Sequence, residues 1–332
     1  MKKSIRFIFL YSLLLLSFKS SAQLFAPEEE MKAVFQTYGY LRGQEAMLQK
    51  IERQFPQLAN DVSRARLTFS GRFGKAAREI TAYVEREAPA DIMQNLNQQL
   101  QQTTNNQQYN LSSASNFITE VSNRGKSVKI ESPVFEMLLQ TQFGDQPEKE
   151  IHQNYVKTYC TKGHAKAKKT DWQIKVPYSW LQLEGDRPNI IQKFVRNEGN
   201  NNLAFIMLLV KDLPSDAREP VSSSDWDEML SAESYSSKDA TGREMKFIYS
   251  QKMVFDGIAG GLVYIESTMP RLGSVYYTGM YQFMFYYKNQ LYLLECCAVS
   301  ADKNQQIKMA AKYKQLFLLV AHSIVVNTQY KR

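Results

Sequence analysis

The stretch GSVYYTGMYQFMFYY, Gly273–Tyr287, decides how the second half of the chain is built. Along a strand, successive side chains point to opposite faces. One face then carries Val275, Tyr277, Gly279, Tyr281, Phe283 and Phe285, and reads as core. The other carries Tyr276, Thr278, Met280, Gln282, Met284 and Tyr286. It is half apolar, so it needs either a helix above it or a partner against it. Tyr276, Met280, Met284 and Tyr286 form a candidate partner surface, because tyrosine and methionine are enriched at interfaces. Packing inside the sheet is the competing expectation, since aromatic residues favour strands anyway. Gly279 leaves room for a close backbone approach.

Outward from this strand the period stays at two. Leu291–Ser300 follows through Lys288-Asn289, a hairpin turn, and Met245–Phe255 and Leu262–Met269 precede it around the turn signal Asp256-Gly257. Further upstream, Asn189–Val195 and Leu203–Lys211 are joined by the polar loop Asn197–Asn202, and Trp172–Val176 alternates until Pro177 ends it. Asp225–Ala232 has the length of a short helix. Ala301–Val325 closes the chain as an amphipathic helix with Ser300 as cap and Ala310, Tyr313, Phe317, Val320 and Ile324 on one face. Antiparallel hairpins closed by a helix make an α+β arrangement.

Before Pro147 the period is helical. Pro27 with Glu28, Glu29 and Glu30 forms a first turn. Pro56 opens a second helix with Leu58, Val62, Phe69, Phe73, Ile80 and Val84 on one stripe, and Gly71 and Gly74 predict a kink within it. Pro89 starts a third, with Ile92, Leu96 and Leu100, which fades into a Gln/Asn-rich surface loop over Gln98–Asn110. Ser112–Arg124 and Ser132–Gln142 are two shorter helices. The expected organisation is a leader over 1–22, a helical domain over 23–147, a basic linker or first strand over 148–170, and an α+β domain over 171–328.

Trp172-x-Ile174-x-Val176-Pro177-x-x-Trp180 resembles the opening strand and Pro-x-x-Trp turn of the PsbP-like fold. That fold is shared by the extrinsic photosystem II subunit and DcrB-type periplasmic proteins. Gly185–Phe194, Asp256–Ile265, the tyrosine-rich hairpin and Phe317–Val325 follow its order of elements, over roughly residues 165–328. The resemblance implies an antiparallel sheet flanked by helices on both faces, an α/β/α sandwich. It also implies a non-catalytic accessory domain that docks on larger assemblies. The whole layout resembles uncharacterised exported bacterial proteins, and no binding residue is carried over.

Export is read from the N-terminus. Lys2, Lys3 and Arg6 precede the apolar run Phe7–Phe18, and small residues lead to a cut between Ala22 and Gln23. About twelve apolar residues span roughly 18 Å as a helix, against a hydrocarbon core of about 30 Å. The run is therefore a cleavable signal and not an anchor. Cys160 is the first cysteine, so acylation at the cut is not expected. The expected address is the periplasm, with secretion as the alternative, as neither a lipoprotein nor a membrane-spanning protein. Removing Lys2, Lys3, Arg6 and Lys19 takes away four of the eight excess positive charges. Nucleic acid is thus not an expected partner.

Chemical motifs are sparse. His152, Cys160 and His164 lie close together, but a structural zinc site wants four ligands and a catalytic one three plus water, so no metal is expected. No G-x-S-x-G nucleophile turn occurs, and Gly257, Gly260 and Gly261 sit between strands, not before a helix. No cofactor or catalytic residue is predicted. Three cysteines in an oxidising setting allow one bridge. Alternation sends Cys296 to the apolar face and Cys297 to the face of Glu295, so Cys160–Cys297 is the candidate pair, beside the alternative of three free thiols. Lys162, Lys166, Lys168 and Lys169 are candidate anion contacts, including peripheral contact with lipid headgroups, or else a solvated linker. The leading expectation is an exported, non-catalytic accessory protein of the bacterial envelope docking on a protein partner. The alternatives are a small-ligand or lipid-headgroup binder using a cleft between the halves, and an enzyme with carboxylates not yet located.

Overall fold

The computed structural model describes residues 27–126, 130, 132–199, 202–213, 223–238, 244–271 and 274–330. The leader and the Ala22/Gln23 cut lie outside the described residues. The chain divides into two compact units, with the boundary between Gly144 and Asp145.

The first unit is helical. α1 (Pro27–Gln54) and α2 (Ala59–Glu87) are long. α2 buries Val62, Ala65, Phe69, Phe73, Ala76, Ile80 and Val84, and Phe73 has non-helical angles (φ −122°, ψ 16°) between the two glycines that predict the kink. α3 runs over Ala90–Asn106 and buries nothing. The amide-rich Gln98–Asn106 is therefore helix, not loop. Lys50 explains how it persists: its ammonium donates to the carbonyls of Thr104 (2.7 Å), Asn105 (3.2 Å) and Gln107 (2.6 Å) and satisfies the helix's last acceptors. α4 (Leu111–Arg124) starts on a capping box between Asn110 and Ser113. α5 (Ser132–Gln142) buries Phe135, Leu138 and Leu139.

The second unit starts with α6 (Glu148–His152) and a two-stranded sheet of β1 (Val156–Cys160) and β2 (Gln173–Pro177). Then come β3 (Leu181–Glu184), β4 (Ile190–Asn197), β5 (Leu203–Asp212), α7 (Ser223–Met229), β6 (Ser237–Lys238), β7 (Glu244–Phe255), β8 (Ile258–Arg271), β9 (Ser274–Tyr287), β10 (Gln290–Ser300) and α8 (Lys303–His322). Eight strands form one antiparallel sheet in the order β3-β4-β5-β10-β9-β8-β7-β6. The architecture is α+β. Among the described residues, two tight hairpin turns have both central residues at positive φ, Asp256-Gly257 (49° and 82°) and Lys288-Asn289 (49° and 62°). That is the turn whose twist matches paired strands.

One sheet face packs against α8 and the β1–β2 pair. Trp172, Phe194, Ile206, Leu208, Tyr281, Phe283, Phe285, Leu294 and Cys296 meet Tyr313, Phe317 and Val320 there. Gly279 lies under α8, where any Cβ would collide with Gln306, Tyr264 and Ala310. α8 is capped by Asp302, which accepts from the Gln305 N–H, while Ser300 accepts from the Asp302 N–H and shapes the turn before it. The helix ends at His322, and Val325 pairs in a short bridge with Gln173 of β2.

Candidate functional site

A group of buried titratable side chains gathers where β4 ends beside α8. Glu198, just past β4, accepts from Arg196 Nε at 2.6 Å, from the Lys312 ammonium and from the Tyr313 hydroxyl. Burial works against its ionisation, but Arg196 and Lys312 outweigh burial and hold its carboxyl below the usual range. Trp180 stands edge-on to Tyr313 at 5.7 Å and to Phe317 at 6.4 Å. Nearby, Glu150 of α6 is 1% exposed and accepts from the Ser179 N–H (2.7 Å) and Oγ (2.8 Å). Burial pushes its carboxyl up to about 7 against the opposing effect of those bonds and of Arg196 and Lys157. Chemically, the group ties α6, the Pro177–Trp180 turn, β4 and α8 together. Sequence reasoning singled out none of the charged residues here. Trp180, in the Pro-x-x-Trp turn, and Tyr313, on the closing helix, marked the place.

The residues singled out from sequence fall elsewhere. Met280 and Met284 are 3% and 0% exposed, and the Tyr235 hydroxyl lies against the Met284 sulfur at 3.7 Å. Trp226 lies 5.6 Å from Tyr286, whose hydroxyl donates to the Met229 sulfur at 3.3 Å. Tyr235 donates to Gln282 at 3.4 Å, and Gln282 to Glu295 at 2.9 Å. Tyr276 and Tyr286 are half-buried, so Tyr276, Met280, Met284 and Tyr286 do not form an open patch. The half-apolar face is accounted for by an internal cover.

None of the three cysteines is in a disulfide. Cys160 is exposed at the end of β1, beside Asp171 (3.3 Å), whereas Cys297 is fully buried in β10, opposite Phe205 and Met280. The candidate Cys160–Cys297 bridge is therefore not formed. Half of the lysine run is neutralised within the unit. Lys166 reaches Glu184 (3.2 Å), Lys168 reaches Asp212 (2.6 Å), and His164 sits 3.5 Å from Glu184. Lys162 and Lys169 stay exposed, so the four lysines do not converge on one anion. Among the described residues, no three His, Cys, Asp or Glu side chains are arranged to hold a metal. Among them, no helix is long and apolar enough to cross a membrane.

A different kind of site lies in the helical unit. α1 and α3 bound a groove of about 820 Å³ lined by Arg42, Glu45, Lys50, Arg53, Asn97 and Gln101, among others. The helices run parallel: Gly43 lies by Leu100, Lys50 by Thr104 to Gln107, and Gln54 by Tyr109. A neighbouring hollow of about 310 Å³ between α1 and α2 includes Glu45 and Arg66, which are paired at 2.9 Å. The groove offers hydrogen bonds and positive charge. Its sequence signal was the amide-rich run read as a loop.

No family model and no curated protein matches this chain. Solved structures do. The chain is similar to cyanobacterial PsbP (CyanoP) from Synechocystis sp. PCC 6803, at 13% identity and a TM-score of 0.33, over 52% of this chain and 92% of that one. It is similar to LpqN, described as involved in cell envelope biogenesis of Mycobacterium tuberculosis, at 10% identity and a TM-score of 0.30, over 54% of this chain and 96% of that one.

Proposed function

We propose that this chain is an exported, non-catalytic accessory protein of the bacterial envelope that works by binding a protein partner. The observation that carries the reading is where its altered carboxylates are spent. Glu150 and Glu198 are two buried acids with shifted titration, and each is enclosed by the protein's own donors. A catalytic acid must reach a proton on its substrate; Glu150, at 1% exposed, is turned inward. The groove between α1 and α3 is instead lined by amides and cations suited to recognition. The signal-like leader supports export, and removing it would leave a chain beginning at Gln23.

Two measurements test this. Expressed with its leader, the protein should appear in the periplasmic fraction with Gln23 as its first residue. Recovery from the cytosol with the leader intact would end the export reading. Native mass spectrometry of mildly cross-linked envelope extracts should give a complex of fixed stoichiometry, and recovery only as a bare monomer would end the accessory reading.

A further inference from the structure

We infer that the α1–α3 groove holds an extended acidic peptide segment, and this rests on the reading of the chain as a partner-binding protein. The first argument is charge. Arg42, Lys50 and Arg53 line the groove against one acid, Glu45, which Arg66 already engages. Lys50 is committed to the end of α3, so Arg42 and Arg53 supply the positive charge open to a ligand. They stand eleven positions apart on α1, which is about three turns, and so share one side of the helix roughly 16 Å apart. An extended chain covers that distance in about five residues. Two acidic side chains four or six positions apart, on one face of that extended chain, would meet one guanidinium each.

The second argument is the hydrogen-bonding character between those cations. Asn97 and Gln101 stand one turn apart along the groove, each offering two donors and an acceptor. These suit main-chain amides, whose donors and acceptors alternate. No aromatic ring lines the groove, so it lacks the stacking platform that sugar rings use. Its apolar side chains are limited to Ala46 and Leu100, which offer no continuous floor for an acyl chain. A peptide fits this chemistry better than a glycan or a lipid.

The chain from Gln23 onward, titrated against a fluorescein-labelled Glu/Ala/Gly decapeptide, should raise its anisotropy saturably, while a Lys/Ala/Gly decapeptide should not bind. The Arg42→Glu/Arg53→Glu double variant should weaken binding at least about ten-fold, and raising salt from about 50 to about 200 mM should weaken it several-fold. Circular dichroism and the melting temperature check folding, and Arg42→Gln/Arg53→Gln repeats the test with a milder change. Unchanged affinity in both variants overturns the inference. So does tighter binding of polygalacturonate or phosphatidylglycerol vesicles than of the acidic peptide. If the peptide fails to bind while the charge-reversed variant still forms the same cross-linked complex, the groove assignment falls and the accessory reading stands.

Discussion

Two helices of this protein, α3 and α8, share the same period and meet opposite fates. α8 spans 20 residues and buries Met309, Ala310, Tyr313, Leu316, Phe317, Val320 and Ala321. α3 spans 17 residues and buries none, and Ile92 on its apolar line is 39% exposed. The difference lies in the density of the stripe. Ile92, Leu96 and Leu100 come about once per turn, a single file too narrow to seat a helix. α8 places three or four apolar side chains in every two turns, which is the width a core needs. Periodicity therefore sets that a segment is helical, and stripe width sets whether it is structural. α3 is held at its end by Lys50, which leaves its flank free to border a groove.

This contrast can be broken at several points. Phe317→Ala should cost about 3–5 kcal/mol in chemical denaturation, because Phe317 is fully buried and touches the rings of Trp180, Tyr281 and Tyr313. Glu198→Ala should cost about 3 kcal/mol by the same measurement, since it strips buried Arg196 of its 2.6 Å partner. Glu150→Gln acts through pH. Burial raises this acid from 4.5 to about 7, so the folded state keeps a proton that the unfolded chain sheds in that interval. The stabilisation is full below about pH 4.5 and is lost as pH rises to about 7, a swing of up to about 3 kcal/mol. Denaturation midpoints of Glu150→Gln should be flatter across that window than those of the wild type; equal slopes would refute the assignment. Lys50→Met should loosen α3 by about 1 kcal/mol, seen as faster amide exchange confined to that helix, with α8 unaffected.

Much of the fold was legible because the second unit's strands are long and their turns are chemically marked. Asp256-Gly257 and Lys288-Asn289 fall where read, and Gly279 does admit a close neighbour, which is α8. What stayed hidden depended on long-range partners. Nothing local to β9 says that Trp226 and Met229, about sixty residues earlier, cover Tyr286. The lysine run looked like a patch because the acids that answer it, Glu184 and Asp212, belong to other strands. The choice of Asp302 over Ser300 as cap is a two-residue ambiguity between equally good capping side chains. The candidate groove was least legible, since a Gln/Asn-rich stretch reads as loop whenever its anchoring lysine lies fifty residues away.

The strand order carries a consequence for how the chain is assembled in time. β5 pairs with β10, joining Leu203 to Val299, and strands β6 to β9 all lie between them in sequence. As the chain emerges from its N-terminus, the β3–β4–β5 leaf is complete long before its neighbour exists. Until β10 arrives, β5 presents a ten-residue apolar edge, LAFIMLLVKD, with open amides and carbonyls. Such an edge invites pairing with other chains. The late closure of the sheet thus creates an interval in which the half-made domain depends on shielding by a chaperone or on rapid completion of the last hairpin.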